Sequence, residues 1–169
     1  MTRDEYRCEV LKVKDRLHSY CVWMLGDREE AKDVTQDAFL RLWQCRGDVT
    51  VECCRAWLLR TASRLCLDQL RRRSRRGQHE LANHTVEAPD EWSSPSTSFR
   101  GAELRPALGE ALGELSSNER AVIILREMEG MSYEQIATVL ERSLSSVKVS
   151  LHRARRRLRK QCSAAMRVA

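Results

Sequence analysis

All three prolines of this 169-residue chain, Pro89, Pro95 and Pro106, fall within eighteen consecutive positions. Proline interrupts helices because it lacks the backbone N–H and its ring clashes with the preceding turn. The surrounding segment, residues 77–105, is also rich in serine and net acidic. We therefore predict a flexible acidic linker at residues 77–105 between two small domains, residues 1–76 and 106–169. Fully extended, a linker of this length reaches about 95 Å.

Both flanking regions are predicted to be helical, which makes the fold all-α. Glycine and proline together number only ten, so turn formers are scarce. Apolar residues recur at spacings of three and four, as in the stripe of Val10, Val13 and Leu17 that ends near Gly26. The later helices are predicted at residues 27–44, from about 55, and at 107–115, 119–128, 132–140 and 144–160. Residues 45–54 are predicted to form a loop.

Composition also limits the location and chemistry of the chain. No stretch approaches the roughly 20 apolar residues of a membrane span, and the first residues lack the apolar core of a signal peptide, so we expect a cytoplasmic protein without membrane insertion. The seven cysteines are odd in number and include no CxxC pair, which favours free thiols and no metal site. The alternative is a sensing site built from Cys8, His18 and Cys21, or from Cys53 and Cys54. No cofactor is predicted.

The third helix is predicted to carry a basic face. Residues 55–76 contain eight arginines and one acid, Asp68. At about 100° per residue, one side of this helix presents four arginines together with an indole, opposite the apolar stripe. These residues are Arg60, Arg64, Arg71, Arg75 and Trp57. An aromatic ring among guanidinium groups favours stacking on unpaired bases, whereas the alternative is a solvated surface with the indole in the core.

The last helix is predicted to carry a second basic face. Its start has short polar residues and a lysine, and its end is rich in arginine. That gradient suits a helix whose start meets base edges and whose end meets phosphates, although positive charge also complements the helix dipole. The candidate DNA-binding residues on this face are Lys148, His152, Arg153 and Arg155, with Ser145 and Ser146 at its start.

Residues 132–160 have the pattern of a helix-turn-helix motif. Ser132 and Gln135 form a capping-box signature at the start of the first helix. Ala137 is the small residue that permits close crossing, and Val147 is predicted to be buried. Glu141 occupies the turn position where glycine is usual, so we expect the turn to adopt a conformation that does not need glycine.

Three segments resemble regions 2 and 4 of bacterial sigma factors of the extracytoplasmic-function (ECF, group IV) class. They are DVTQDAFLRLW (33–43), WLLRTASRLCLDQLRRRSRR (57–76) and residues 115–160, which begin LSSNERAVIILREMEG. The resemblance implies a subunit that binds core RNA polymerase and directs promoter-specific initiation, recognising the minus-ten and minus-thirty-five elements of promoter DNA and assisting melting. It also implies an anti-sigma factor as a partner.

The resemblance assigns roles to particular residues. The second helix would dock on the clamp helices of the largest polymerase subunit, through Asp33, Gln36, Asp37, Phe39 and Leu40. The loop from Cys45 to Cys54, with Arg46 and Gly47, would hold a flipped base of the minus-ten element. Lys148, Val149, His152 and Arg153 align with positions that contact the minus-thirty-five element.

Two alternatives remain at this point. A stand-alone helix-turn-helix regulator would explain residues 107–160 but would leave the acidic second helix unused. A helical adaptor would bind acidic protein partners through the basic faces. The four histidines lie in unlike contexts with no glycine-rich loop near them, so we predict no enzymatic activity and no small-molecule substrate.

Overall fold

The computed structural model describes the backbone of residues 1–76 and 100–165 and the side chains of residues 1–76 and 106–161. Within these ranges the chain is built from helices, which confirms the predicted all-α class. The helices are α1 (Arg3–Leu25), α2 (Arg28–Gln44), α3 (Val51–Arg75), α4 (Arg100–Gly113), α5 (Ser117–Ile123), α6 (Tyr133–Leu140) and α7 (Leu144–Ala165). A π-helical segment, Ile124–Met128, continues α5. None of these described helices is both long enough and apolar enough to cross a membrane.

Local capping explains where most helices begin and end. Thr2 and Glu5 form a capping box at the start of α1, and Gly26 ends that helix in the left-handed conformation with φ 71°. Asp27 then caps α2 by accepting a 2.9 Å hydrogen bond from the Glu30 amide. Ser132 caps α6 in the same way, as its sequence predicted.

Helix α3 begins earlier than predicted. Its first residue is Val51 rather than a residue near Arg55, so the loop after α2 ends at Thr50, which has the extended conformation of an N-cap. The buried stripe of this helix extends one turn back to Cys54, four residues before the buried Leu58. Burial of this thiol favours the extra helical turn over the predicted loop.

The second half also differs from the predicted boundaries. Helix α4 begins at Arg100, within the predicted linker, and contains Pro106. We predicted that the helix begins after Pro106 because proline has no backbone N–H to donate within a helix. The remainder of the predicted linker, residues 77–99, lies outside the described residues. At the other end, α7 continues to Ala165, beyond the predicted end at Lys160.

One buried core joins the two halves of the chain. Helices α1, α2 and α3 pack on one another, α5 and α6 pack against α3, and α7 packs against α5 and α6. The core contains Tyr20, Met24 and Leu58 from the first half and Leu125 and Ile136 from the second. The relative positions of these two halves determine which of the predicted surfaces are open to solvent.

Candidate functional site

An acidic groove lies between α2 and α3. Its volume is about 600 Å³. Four of the five predicted docking residues line it, namely Asp33, Gln36, Asp37 and Leu40. The carboxylates and the amide are exposed, and Leu40 is 53% exposed although it is apolar. Exposed apolar surface beside carboxylates is typical of a protein-docking site.

Phe39 does not belong to this groove. Its side chain is partly buried against the core, and its backbone oxygen accepts a 3.0 Å hydrogen bond from the Tyr6 hydroxyl of α1. On a helix, Phe39 lies about 100° from Leu40, which turns it toward α1. The structure therefore separates Phe39 from the other predicted docking residues and favours a packing role.

Helix α3 supplies the wall of the groove that sequence reasoning missed. Leu65, Asp68, Gln69 and Arg72 line this wall. Asp68 forms ion pairs with Arg72 at 3.5 Å and with Arg71 at 3.9 Å. The signal in the sequence was Asp68 itself, since it is the one acid among the arginines of residues 55–76.

The loop after α2 is held by a stacked arginine. The Arg46 guanidinium lies 3.9 Å from the centroid of the Trp43 ring and donates a 2.8 Å hydrogen bond to the Trp43 carbonyl. The amino group of Met1 donates a 2.8 Å hydrogen bond to the Arg46 carbonyl. Gly47 is exposed, with open space where a Cβ would lie. Arg46 thus orders the loop, and Gly47 leaves its outer surface open.

The predicted basic face of α3 contacts the other half of the chain. Arg60 and Arg64 both donate to the Oε1 atom of Glu141 in the turn after α6. Arg71 and Arg75 are exposed on the last turns of α3. Trp57 is partly buried and packs against the core, so its ring contributes to packing as well as to this face.

Arg73, one of the eight arginines of residues 55–76, holds α3 against its neighbouring helices. The Arg73 guanidinium donates a 2.8 Å hydrogen bond to the Leu25 carbonyl at the end of α1 and a 3.2 Å hydrogen bond to the Glu30 carboxylate of α2. The last carbonyls of a helix lack donors within the helix. Arg73 therefore joins α3 to α1 and α2.

Helix α7 presents its predicted face to solvent at its N-terminal half. Lys148, His152 and Arg153 are exposed, and the apolar Val149 is 48% exposed. Val147 and Leu151 are buried on the opposite side, as predicted for Val147. A side chain as apolar as Val149 in a cationic surface can contact a thymine methyl group.

The remaining predicted residues of α7 have internal partners. The Ser143 hydroxyl accepts a 3.3 Å hydrogen bond from the Ser146 amide, and it lies 3.1 Å from the Ser145 hydroxyl. Arg155 donates two hydrogen bonds to Oε1 of Glu127, at 3.1 and 2.6 Å. Sequence reasoning missed Ser143 and Glu127, since neither lies on the predicted face.

The prediction that the turn of the helix-turn-helix would avoid the conformation typical of glycine is wrong. This residue adopts φ 52° and ψ 48°, which is the left-handed conformation that glycine usually supplies. The turn is closed by a 2.9 Å hydrogen bond from the Arg142 amide to the Ala137 carbonyl. This hydrogen bond forms only when residue 141 is in the left-handed conformation. The turn therefore has the geometry that glycine usually gives, although residue 141 is a glutamate.

The candidate metal ligands do not come together. Cys8 is exposed and Cys21 is buried, and they lie thirteen positions apart on α1, which is about 20 Å along the helix. Cys21 and Cys66 are both buried in the core, and burial raises the pKa of the Cys66 thiol well above its usual value. Cys53 is exposed while the adjacent Cys54 is buried. Among the described residues, no group of three or more His, Cys, Asp or Glu side chains has the arrangement of a metal site.

Comparison with known proteins identifies the family. Residues 10–76 match the family model for Sigma-70 region 2, and residues 105–158 match that for Sigma-70, region 4. The chain is 36% identical over 146 residues to the ECF RNA polymerase sigma factor SigL of Mycobacterium tuberculosis, a match that covers 85% of this chain and 80% of SigL. The chain belongs to the ECF RNA polymerase sigma factors.

Two longer relatives match this sigma factor over only part of their own length. The ECF RNA polymerase sigma factor SigE of Mycolicibacterium smegmatis is 31% identical over 145 residues, which cover 86% of this chain and 56% of SigE. The probable ECF RNA polymerase sigma factor SigI of Mycobacterium tuberculosis is 37% identical over 140 residues, which cover 80% of this chain and 48% of SigI. The chain thus spans about half the length of these two relatives.

Solved structures support the fold of this sigma factor. The sigma factor RpoE from Bartonella quintana, crystallised with the anti-sigma factor NepR, matches with a TM-score of 0.73 and 24% identity over 96% of this chain and 98% of that chain. CnrH in complex with the cytosolic domain of CnrY matches with a TM-score of 0.69 and 24% identity, covering 96% of this chain and 90% of that chain. The likeness extends over both halves of the chain.

Proposed function

We propose that this chain binds core RNA polymerase and directs promoter-specific initiation, recognising the minus-ten and minus-thirty-five elements and assisting melting. Residues 1–76 act as region 2, helices α4 to α7 act as region 4, and the segment before α4 acts as the linker. The observation that carries the proposal is the acidic groove of α2 and α3 on the same chain as two arginine-rich faces. A protein that only binds DNA has no use for an acidic groove.

The acidic groove is the proposed docking site for the polymerase clamp helices. Asp33 and Asp37 lie on the same face of α2 as the exposed Leu40, two turns and one turn before it, so an apolar contact would have carboxylates beside it. Asp68 adds a carboxylate from α3. Charge of one sign around an apolar centre gives orientation and a fast association rate to a basic partner.

The basic face of α3 and the preceding loop are the proposed minus-ten surface. Arg60, Arg64, Arg71 and Arg75 would hold the backbone of the melted strand, while Trp57 stacks on an unpaired base. Unstacking a base costs a few kcal/mol, and each base–aromatic stack returns about 1 to 3 kcal/mol. The exposed backbone at Gly47 permits close approach of a flipped base.

The exposed side of α7 is the proposed minus-thirty-five reader. Lys148, His152 and Arg153 would lie in the major groove, with Val149 against a thymine methyl. Arg155 is assigned to positioning, because its guanidinium is held by Glu127 within the same domain. The hydroxyl groups at the start of α7 lie at the end of the helix that carries positive dipole charge, which favours a nearby phosphate.

An anti-sigma factor is the proposed regulatory partner. The RpoE and CnrH structures each contain a bound protein partner, which in the first case is named as an anti-sigma factor. Because polymerase and promoter DNA are cytoplasmic in bacteria, we propose the same location for this chain. We propose no catalytic activity, since the function needs only binding.

Run-off transcription with purified core polymerase tests the function. The chain, added to core, should direct transcripts of a single start site from promoters selected against the reconstituted holoenzyme. Core alone and core with the Asp33→Arg variant are the controls. Binding of duplex DNA by the chain alone without promoter-specific transcripts would contradict the proposal and favour a stand-alone helix-turn-helix regulator.

A further inference from the structure

Glu141 combines an unfavourable backbone conformation with a contact between the two halves of the chain. Its φ of 52° lies in the left-handed region, where a side chain with a Cβ is disfavoured and glycine is not. Residue types other than glycine are retained at such positions where another interaction compensates. The carboxylate of Glu141 makes such an interaction.

That carboxylate receives two guanidinium groups from α3. Arg60 and Arg64 lie one helical turn apart, and both form ion pairs with Oε1 of Glu141. The donation from Arg64 lowers the pKa of Glu141 below its usual value, as expected for a carboxylate that is paired with guanidinium groups. Both arginines belong to the proposed minus-ten surface, so an acid of region 4 occupies a site assigned to DNA.

A second cluster supports the same contact nearer the start of α3, about five residues before Arg60. Arg55 donates to the carbonyl of Glu129 at 3.1 Å and to its carboxylate at 2.7 Å, and Arg16 of α1 lies 3.4 Å from that carboxylate. The Glu129 side chain is only 5% exposed. Two acids of region 4 therefore contact the first domain on either side of the α3–α6 packing.

This closed arrangement does not fit simultaneous binding of both promoter elements. The minus-ten and minus-thirty-five elements are centred about 25 base pairs apart, or about 85 Å along the duplex at 3.4 Å per base pair. The turn of the helix-turn-helix lies against the minus-ten surface in the closed chain. The two domains must separate before each can reach its own element.

We propose that Glu141 is a clasp that holds the free sigma factor closed by occupying Arg60 and Arg64 in place of promoter DNA. Arginine binds carboxylates and phosphates with the same paired donors, so the backbone of the minus-ten strand competes directly with Glu141. The identity of the DNA competitor rests on the proposed function, whereas the closed state of the chain alone does not.

The distance between the domains in the free full-length chain tests the clasp. Two genetically encoded labels, at the exposed Lys14 of α1 and Lys160 of α7, would report it by single-molecule energy transfer. Glu141→Gln should shift the ratio of open to closed molecules at least threefold toward open, and raising the salt concentration should open the wild type by weakening the ion pairs. Glu134→Gln, which changes an exposed acid on α6, is the matched control and should leave the ratio unchanged.

Two further variants separate the clasp from a folding defect. Glu141→Gly removes the carboxylate and the backbone strain together, so it should open the chain while region 4 remains as heat-stable as in the wild type. The triple variant Glu141→Arg, Arg60→Glu and Arg64→Glu reverses the charges and should close the chain again. An unchanged distribution in Glu141→Gln and Glu141→Gly, or an open wild type at low salt, would overturn the proposal.

A single-stranded minus-ten oligonucleotide tests competition. Without polymerase, Glu141→Gln should bind it about three- to tenfold more tightly than the wild type, and Glu134→Gln should bind it as the wild type does. Opening without tighter binding would retain the clasp but contradict competition by DNA. Normal transcription with no change in domain distance would instead overturn the clasp and leave the proposed function intact.

Discussion

The guanidinium of Arg120 in α5 donates a 2.8 Å hydrogen bond to the carbonyl of Met24, 96 residues earlier at the end of α1. Its other terminal nitrogen donates a 2.8 Å hydrogen bond to the carbonyl of Gly113. Burial lowers the pKa of Arg120 to about 10, so the group remains charged at neutral pH. One buried cation thus joins the end of α1 to the end of α4.

Replacing Arg120 with methionine should destabilise the protein. The apolar side chain fills similar volume but leaves the Met24 and Gly113 carbonyls without donors, at a cost of about 1 to 3 kcal/mol in the free energy of unfolding. Urea denaturation followed by circular dichroism would measure it. Arg156→Met, at an exposed site of α7, is the control and should stay within about 0.5 kcal/mol of the wild type. Equal midpoints for all three proteins would refute a stabilising role for Arg120.

Charge reversal in the acidic groove should weaken binding to core polymerase. Asp33→Arg places a cation where we propose a basic partner surface, and we expect at least about a tenfold loss of affinity, or about 1.4 kcal/mol. Glu29→Arg makes the same change in charge on the first turn of α2, outside the groove lining. Fluorescence anisotropy of labelled chain with core would compare them. Similar losses in both variants would indicate an effect of net charge alone.

Trp57→Ala should impair promoter melting more than formation of the closed complex. Loss of one base–aromatic stack removes about 1 to 3 kcal/mol from the melted state only. Permanganate reactivity of melted thymines and gel shift of the holoenzyme would measure the two steps. Because Trp57 also packs against the core, Trp57→Phe is the necessary comparison and should retain most of the melting. Equal loss of binding and melting in the alanine variant would count against stacking.

Two arginines of α7 should differ in their effect on the salt dependence of DNA binding. Arg153 is exposed and is proposed to contact a phosphate, so Arg153→Ala should reduce the slope of log affinity against log salt by about one. Arg155 is paired with Glu127, so Arg155→Ala should leave the slope nearly unchanged and lower thermal stability instead. An unaltered slope for Arg153→Ala would remove this residue from the DNA contacts.

The thiols should fall into two reactivity classes. Cys8, Cys45 and Cys53 are exposed, whereas Cys21, Cys54 and Cys66 are buried. Burial raises the pKa of the Cys54 and Cys66 thiols, so the reactive thiolate of each forms only as the pH rises above the usual range.

Alkylation with iodoacetamide at pH 8 and peptide mass spectrometry would test this difference, in a Cys162→Ser background because that side chain lies outside the described residues. The exposed thiols should react within minutes and the buried ones only in denaturant. Fast native labelling of Cys66 would show that its site opens to solvent.

The family and the helical fold could be predicted from local sequence patterns. Helical spacing of apolar residues predicts the described helices, and the caps at Ser132 and Gly26 predict where two of them begin or end. Short-range signals suffice here because capping and amphipathic periodicity depend on residues only a few positions apart. The same reasoning misplaced the start of α3, since burial of Cys54 against other helices decided that boundary.

The candidate site depended more on tertiary structure. The second wall of the acidic groove comes from α3, and the packing of the Phe39 side chain against the core removes it from that groove. The pairing of Arg155 with Glu127 joins residues 28 positions apart, too far for a helical pattern to reveal.

The sequence by itself determined that this chain is a helical member of the sigma factors, with an acidic second helix and two arginine-rich faces. Only the tertiary structure decided which of those charges are open to partners and which are paired inside the molecule. The physical reason is that ion pairs such as that between Arg64 and Glu141, 77 positions apart, depend on how the helices pack. The number of charged residues follows from the sequence, but which of them form ion pairs depends on the packing of the helices.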